Sequence, residues 1–565
     1  MRSYSRLLFQ PPITPLRTPR LQIKAYRTFT GINFGSSSSS SGGYNWNKQK
    51  KKKKSNLFAA RSVHYTMADL KVDLTAPNGK KFALPTGLFI NNEFVKASGG
   101  EKITSTNPSN EQEICSVEAA SAEDVDKAVA AARAALNHGS WRDISATERG
   151  ALMFKLADLA EQEKEILATI ETWDNGKPYG DALGDLGEVI SCLRYYGGWA
   201  DKIHGQTIPT TPQKFAYTIR QPIGVCAQII PWNYPLAMAA WKLGPALACG
   251  NTIVLKPAEQ TPLSILYFAT LIVKAGFPPG VVNIINGYGR VTGQTLASHL
   301  DVDKVAFTGS TATGKHIMKT ASINMKNITL ETGGKSPLLV FADADLEQAA
   351  KWAHIGIMSN QGQICTATSR VLVHESVYEK FVTLFREAIQ STSKVGDPFA
   401  EGTFQGPQVT KAQYERVLGF VESGQSEGAT LAMGGKPCPL NGKGYFIEPT
   451  VFTNVKDSMT IYREEVFGPF VVVASFQTED EAVRMANSTT YGLGASLFSQ
   501  NVELAHRVAS RIEAGMVWIN SSNDSDFRVP FGGVKQSGIG RELGEAGLAA
   551  YTQTKAIHVN MGLKL

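Results

Sequence analysis

No stretch of about 18 consecutive apolar residues occurs in this chain of 565 residues, so the sequence predicts no membrane-spanning helix. Cysteine is scarce and scattered: six residues, Cys115, Cys192, Cys226, Cys249, Cys365 and Cys438, with no CxxC pair. That excludes a disulfide scaffold and argues against reliance on an oxidising compartment. No HExxH and no Cys/His grouping at zinc spacing is present, so neither a structural nor a catalytic metal is expected. Acids are missing from residues 1–66, which carry 13 Lys and Arg; the first carboxylate is Asp69. Beyond that tail 44 basic residues face 50 acidic ones, a net charge of −6 against +7 for the whole chain. The body therefore lacks the positive field that draws nucleic acid.

What is there divides into tail and body. The tail runs from an Arg/Ser-containing start through Ser36–Ser41 to Lys50–Lys54, with no periodic apolar face to bury, and is expected to be disordered. An acid-free, Arg- and Ser-rich N-terminus resembles a transit peptide, which places the protein in the mitochondrial matrix. The lysine run also reads as a nuclear or polyanion-binding patch. Alternatively Met67-Ala68-Asp69 is the working start, what precedes it is a non-native extension, and the protein is cytoplasmic.

The body is 43% hydrophobic and 19% charged over the whole chain's composition, and too long for one core, so two or more domains are expected. From about residue 85 it reads as mixed helix and strand. Ser121-Ala122-Glu123-Asp124 opens a helix carrying Val125, Ala128, Val129 and Ala132. A second helix carries Leu152, Leu156, Leu159, Leu167 and Ile170 until Gly176 and Pro178 stop it. Residues 225–230, 252–255, 281–285, 305–307 and 338–341 then read as short buried strands between helices. The pattern predicts βαβ units, an α/β fold with parallel sheets, and ligands beyond the strands' carboxyl ends.

Several polar motifs fall at those ends. Pro231-Trp232-Asn233-Tyr234-Pro235 holds a carboxamide between two prolines; Asn233 either donates to a developing oxyanion or bonds its own backbone in a turn. Lys256 and Glu259 suit the hydroxyls of a ribose, or form a solvated ion pair. Phe307 to His316 imitates a phosphate loop, but His316 stands where Ser or Thr would hold magnesium. What remains is a glycine turn into a helix N-terminus, able to meet a diphosphate. Glu331, beside Gly333 and Gly334, reads as a mobile, approachable base or an ordinary surface acid. Glu464-Glu465-Val466-Phe467 and the glycine-rich loop after Phe531 are pocket linings or structural punctuation. Cys365 sits among small and polar residues, with Gly362 three positions earlier giving room for backbone and substrate; it is a nucleophile or an inert thiol.

Taken together and in this order, these motifs resemble the NAD(P)-dependent aldehyde dehydrogenase superfamily, in its hydrolytic, broad-specificity branch, from about Leu84 to His558. The resemblance implies a Rossmann-like cofactor domain (84–200 and 222–333), an α/β catalytic domain (334–547) and a small β oligomerisation arm (201–221 and 548–562), assembled as a homodimer or homotetramer. It implies that Cys365 is the nucleophile, Glu331 the base and Asn233 the oxyanion donor. Cofactor contacts would be Ile229, Ile230, Pro231, Trp232, Lys256, Glu259, Gly289, Gly309, Ser310, Gly314, Glu465 and Phe467. Tyr234, Met238, Trp241 and Phe531 would line an aldehyde tunnel. The implied reaction oxidises a small-molecule aldehyde to its acid with NAD, NADP being disfavoured by Glu259. Thr332 stands where the family more often has leucine. An acylating, coenzyme A-dependent enzyme would lack Glu331, a betaine-aldehyde enzyme tends to carry an indole near Phe531, and a silent binding protein need not keep all three catalytic residues.

Overall fold

The computed structural model describes residues 70–565. The expectations of disorder, import and a lysine patch in residues 1–66 lie outside the described residues.

Val225–Ile229 is buried at every position and pairs in parallel with Thr252–Lys256 on one side and Lys304–Thr308 on the other. Strands covered on both faces lose the apolar–polar alternation, which is why these segments read as continuous apolar runs. The eight-stranded sheet they belong to runs Gly538–Ile539, Asn327–Glu331, Lys304–Thr308, Val225–Ile229, Thr252–Lys256, Val282–Ile284, Leu88–Ile90, Glu93–Val95. Its five central strands are parallel, as in a Rossmann-like unit. The chain first winds from Val225–Ile229 to Val282–Ile284, then returns to lay Lys304–Thr308 against the opposite edge of its first strand. Connections leaving in opposite directions open a crevice at the carboxyl ends of those two neighbours. Pro231-Trp232-Asn233 and Thr308-Gly309-Ser310 stand there.

A seven-stranded sheet carries the rest of the site, in the order Thr430–Met433, Thr450–Thr453, Phe470–Phe476, Arg370–His374, Pro337–Val340, Gly494–Phe498, Met516–Ile519. All its pairings are parallel except the first. Thr207–Thr211, Lys214–Pro222 and Thr552–Asn560 form a separate antiparallel sheet whose first strand is exposed throughout.

The Ser121 start holds, with Asp124 closing a capping box on the helix Ala122–Asn137. Two readings need correction. The single helix expected to end at Gly176 is two, Ala146–Gln162 and Lys164–Asn175. They break at Glu163, whose carboxylate accepts a hydrogen bond from the Tyr267 hydroxyl at 3.0 Å. A hairpin, Lys71–Thr75 with Lys81–Pro85, precedes the start expected near residue 85. Its turn places Gly79 at φ +81°, and its Phe82 packs edge-on against Trp173 and Tyr267.

Candidate active site

A cavity of about 460 Å³ lies at these carboxyl ends and brings Cys365, Glu331 and Asn233 into one wall. Cys365 follows a left-handed turn, Asn360, Gln361 and Gly362 at φ +46°, +57° and +71°. Gly362 is not there for substrate, as the sequence suggested. A methyl at that position would lie 1.9 Å from the Gly468 carbonyl oxygen, so glycine lets the Cys365 loop seat against the Glu465–Phe467 loop.

Gly333 and Gly334 act the same way. A methyl on Gly334 would stand 2.4 Å from the Cys365 carbonyl oxygen, and one on Gly333 would stand 2.3 Å from Glu465 Oε2. The pair packs three chain segments together and does not loosen Glu331. That glutamate ends the strand Asn327–Glu331 and is buried; no N–H or O–H group donates to either carboxylate oxygen among the described residues, and the Cys365 thiol is its hydrogen-bonding neighbour. The sequence suggested a mobile, approachable acid; the structure has it buried in the cavity wall. Thr332 fits its buried place because its hydroxyl donates to the Gln536 carbonyl at 2.7 Å.

Burial pushes the Glu331 carboxyl up to about 8, with repulsion from Glu542 adding to it and the Lys242 ammonium opposing. Lys242 is fully buried, lies 2.7 Å from Glu542 Oε1 and donates to Thr308 Oγ1 at 2.6 Å. Burial also holds the Cys365 thiol well above its ordinary range, Glu331 and then Glu465 adding their negative charge. Glu331 is the carboxyl group that neighbours this thiol. Asn233 Nδ2 donates to the Gln363 carbonyl at 3.0 Å, and its own carbonyl accepts from Asn360 Nδ2 at 3.1 Å. Those bonds run to the Cys365 loop and not to its own turn, leaving one amide hydrogen for the cavity.

Pro231, Trp232, Gly309, Ser310, Glu465 and Phe467 line the same cavity. Trp232 and Phe467 meet edge-on at 5.3 Å, and Glu465 Oε1 accepts from the Gly334 N–H at 2.9 Å. Tyr234, Met238, Trp241 and Phe531 line it too. Ile229, Ile230, Lys256, Glu259, Gly289 and Gly314 do not. Lys256 ends its strand with Nζ 3.4 Å from Glu259 Oε2, Ile229 and Ile230 are buried, and Gly314 packs against Thr332. Gly289 opens a short helical turn.

The model of the aldehyde dehydrogenase family matches residues 94–557. The chain belongs to the aldehyde dehydrogenase family. It is 53% identical over 498 residues to an aldehyde dehydrogenase of Aspergillus niger, covering 88% of this chain and 99% of that one. It is 51% identical over 484 residues to human aldehyde dehydrogenase 1A1, covering 85% and 96%. The NAD+ complex of a Bacillus cereus aldehyde dehydrogenase superposes with a TM-score of 0.83 at 50% identity, over 84% of this chain and 97% of that one.

Sequence reasoning on this aldehyde dehydrogenase missed several cavity residues. Gln413 and Arg416 stand one turn apart on Lys411–Ser426 and line the cavity. Gln413 Nε2 donates to the Phe467 carbonyl at 2.8 Å and Arg416 to the Glu465 carbonyl at 3.1 Å, so they pin that loop. Asp185 and Glu188, on Tyr179–Trp199, also line it. Polar residues at helical spacing carry no motif, so only the fold reveals them. Residues present fit a dinucleotide. The helix Thr311–Ala321 starts at the cavity; the Ser310 hydroxyl takes one of its free first-turn N–H groups, that of Thr313 at 3.2 Å, which leaves others for a diphosphate. Lys315 bonds Gln536 Oε1 and His316 bonds Gln294, so neither completes a magnesium-type phosphate loop.

Proposed function

We propose that this aldehyde dehydrogenase oxidises aldehydes to carboxylic acids with NAD, on Cys365, Asn233 and Glu331. The convergence of those three side chains on one cavity carries the reading. The unit around the eight-stranded sheet would hold the cofactor, and the unit around the seven-stranded sheet would deliver Cys365. Lys256 and Glu259 would grip the adenosine ribose, the Gly309-Ser310 turn the diphosphate, and Glu465 with Phe467 the nicotinamide end. When bound, NAD supplies the hydride acceptor.

Cys365 releases its proton to solvent as its sulfur adds to the aldehyde carbon, making a thiohemiacetal oxyanion. The Asn233 amide and the Cys365 N–H donate to that oxygen, a kind of contact typically worth roughly 3–4 kcal/mol of barrier. Loss of the carbon's hydrogen with its electron pair leaves a thioester on Cys365. Glu331 removes a proton from water as the water oxygen bonds to the thioester carbon. The C–S bond then breaks, the acid leaves and the thiol is restored. NADH absorbance on adding a short aldehyde tests the reading, and no signal would overturn it. Glu331 argues against transfer to coenzyme A.

Glu259 favours NAD by bonding a free ribose hydroxyl and repelling a 2′-phosphate. We expect kcat/KM for NAD to exceed that for NADP by about ten-fold or more, a ratio that Glu259→Gln narrows. Equal use of both cofactors by the unaltered protein would refute this. The exposed edge strand Thr207–Thr211, with Ile208 and Phe215 each 43% exposed on its sheet, supports an arm that builds a homodimer or homotetramer. The acid-free N-terminus supports import into the mitochondrial matrix. Sedimentation of protein purified from its source, with N-terminal sequencing, tests both: a monomer, or an unprocessed Met1 or Met67 start, would overturn them respectively.

A further inference from the structure

Asp185 and Glu188 stand about one turn apart on Tyr179–Trp199, and both line the cavity that holds Cys365. Their surroundings differ. Asp185 is neutralised, its Oδ2 lying 2.5 Å from Nζ of the fully buried Lys177. That same ammonium sits 4.2 Å over the Tyr234 ring, so its charge is already engaged within the wall. Glu188 makes no ion pair among the described residues; Lys177 acts on it only at longer range, with Asp185 and Asp526 opposing. Its Oε1 accepts from the Trp241 indole Nε1–H at 2.8 Å, while no donor reaches Oε2 among the described residues. The indole in turn meets the Phe531 ring edge-on at 4.8 Å.

A partly buried carboxylate with one oxygen free is costly in a pocket meant for plain alkyl chains. Beside indole, phenol and phenyl rings it becomes a site for a cation, which gains charge pairing and ring faces together. Burial pushes the Glu188 carboxyl up to about 7 against the pull of the Trp241 hydrogen bond, so an alkaline assay leaves it charged.

We propose that Glu188 is a specificity-determining residue that selects aldehydes bearing a terminal ammonium group. The proposal rests on Cys365 being the reacting centre. Its test compares 3-aminopropanal with butanal, which differ by an ammonium in place of a methyl, with NAD at pH 8.5. The unaltered enzyme is expected to favour 3-aminopropanal in kcat/KM by about ten-fold or more. Glu188→Gln, whose amide oxygen still accepts from Trp241, should lower that preference by about 10- to 100-fold, mostly through KM. Glu188→Asp should restore part of it. A preference for butanal in the unaltered enzyme, or a ratio unmoved by Glu188→Gln, overturns the proposal while leaving the Cys365 reading standing. Failure to turn over either aldehyde overturns both.

Discussion

Alanine at Cys365 is expected to abolish aldehyde-dependent NADH formation, lowering kcat by at least about 10⁴-fold while NAD still binds. The size of the loss follows from the lack of a substitute. Cys115, Cys192, Cys226 and Cys249 are buried, and burial holds each of those thiols above its ordinary range. Cys438 is half-buried but does not line the cavity. The hydroxyls that do line it, among them Ser359, Thr366 and Ser525, are poorer nucleophiles, and Glu331 is the neighbour of the Cys365 thiol. Alanine removes one sulfur from a cavity wall, so the fold should survive. Stopped-flow absorbance with a short aldehyde, and NAD titration by protein fluorescence, separate lost chemistry from lost binding. Unchanged turnover in Cys365→Ala would sink the mechanism.

The residues that converge on the cavity were legible because their signals are local. Pro235 sits at the first position of the helix Pro235–Ala248, where its missing N–H costs nothing, so the Pro231–Pro235 motif marks a strand-to-helix junction without any knowledge of the fold. The glycines were legible as punctuation but not in purpose. Gly334 clears the Cys365 carbonyl and its N–H holds Glu465, 131 residues along the chain, contacts that no window of sequence contains. The burial of Glu331 was not legible for the same reason, since it is set by residues far from it. The two helices meet at Glu163, while Leu159 and Leu167 stay in helical phase across the break, so periodicity alone cannot see it. Glu188 is the extreme case. No motif marks it, and only the folded structure sets it on the cavity wall with Trp241 and Phe531.

Glutamine at Glu331 is expected to leave the first half of the reaction and to slow the second by about 10²–10⁴-fold. The amide keeps the shape of the side chain but cannot take a proton from water, so the thioester on Cys365 accumulates. A rapid burst of about one NADH per active site should survive, followed by slow turnover. Intact mass spectrometry should find the protein heavier by one acyl group. The pH profile adds an independent sign. Only the ionised carboxylate can act as base, and burial raises this carboxyl to about 8. When deacylation limits turnover, kcat should therefore climb with pH through about 8 and level off above it, whereas an ordinary glutamate would give a flat profile there. That rising limb should vanish from the slow phase of Glu331→Gln. A lost burst with no adduct would move Glu331 to deprotonation of the Cys365 thiol, the other proton within its reach. Full steady-state activity without an adduct would remove it from the chemistry altogether. The first outcome is expected because, beside its contact with the Cys365 thiol, the buried carboxylate meets no N–H or O–H donor among the described residues, an arrangement that is costly unless water or substrate completes it.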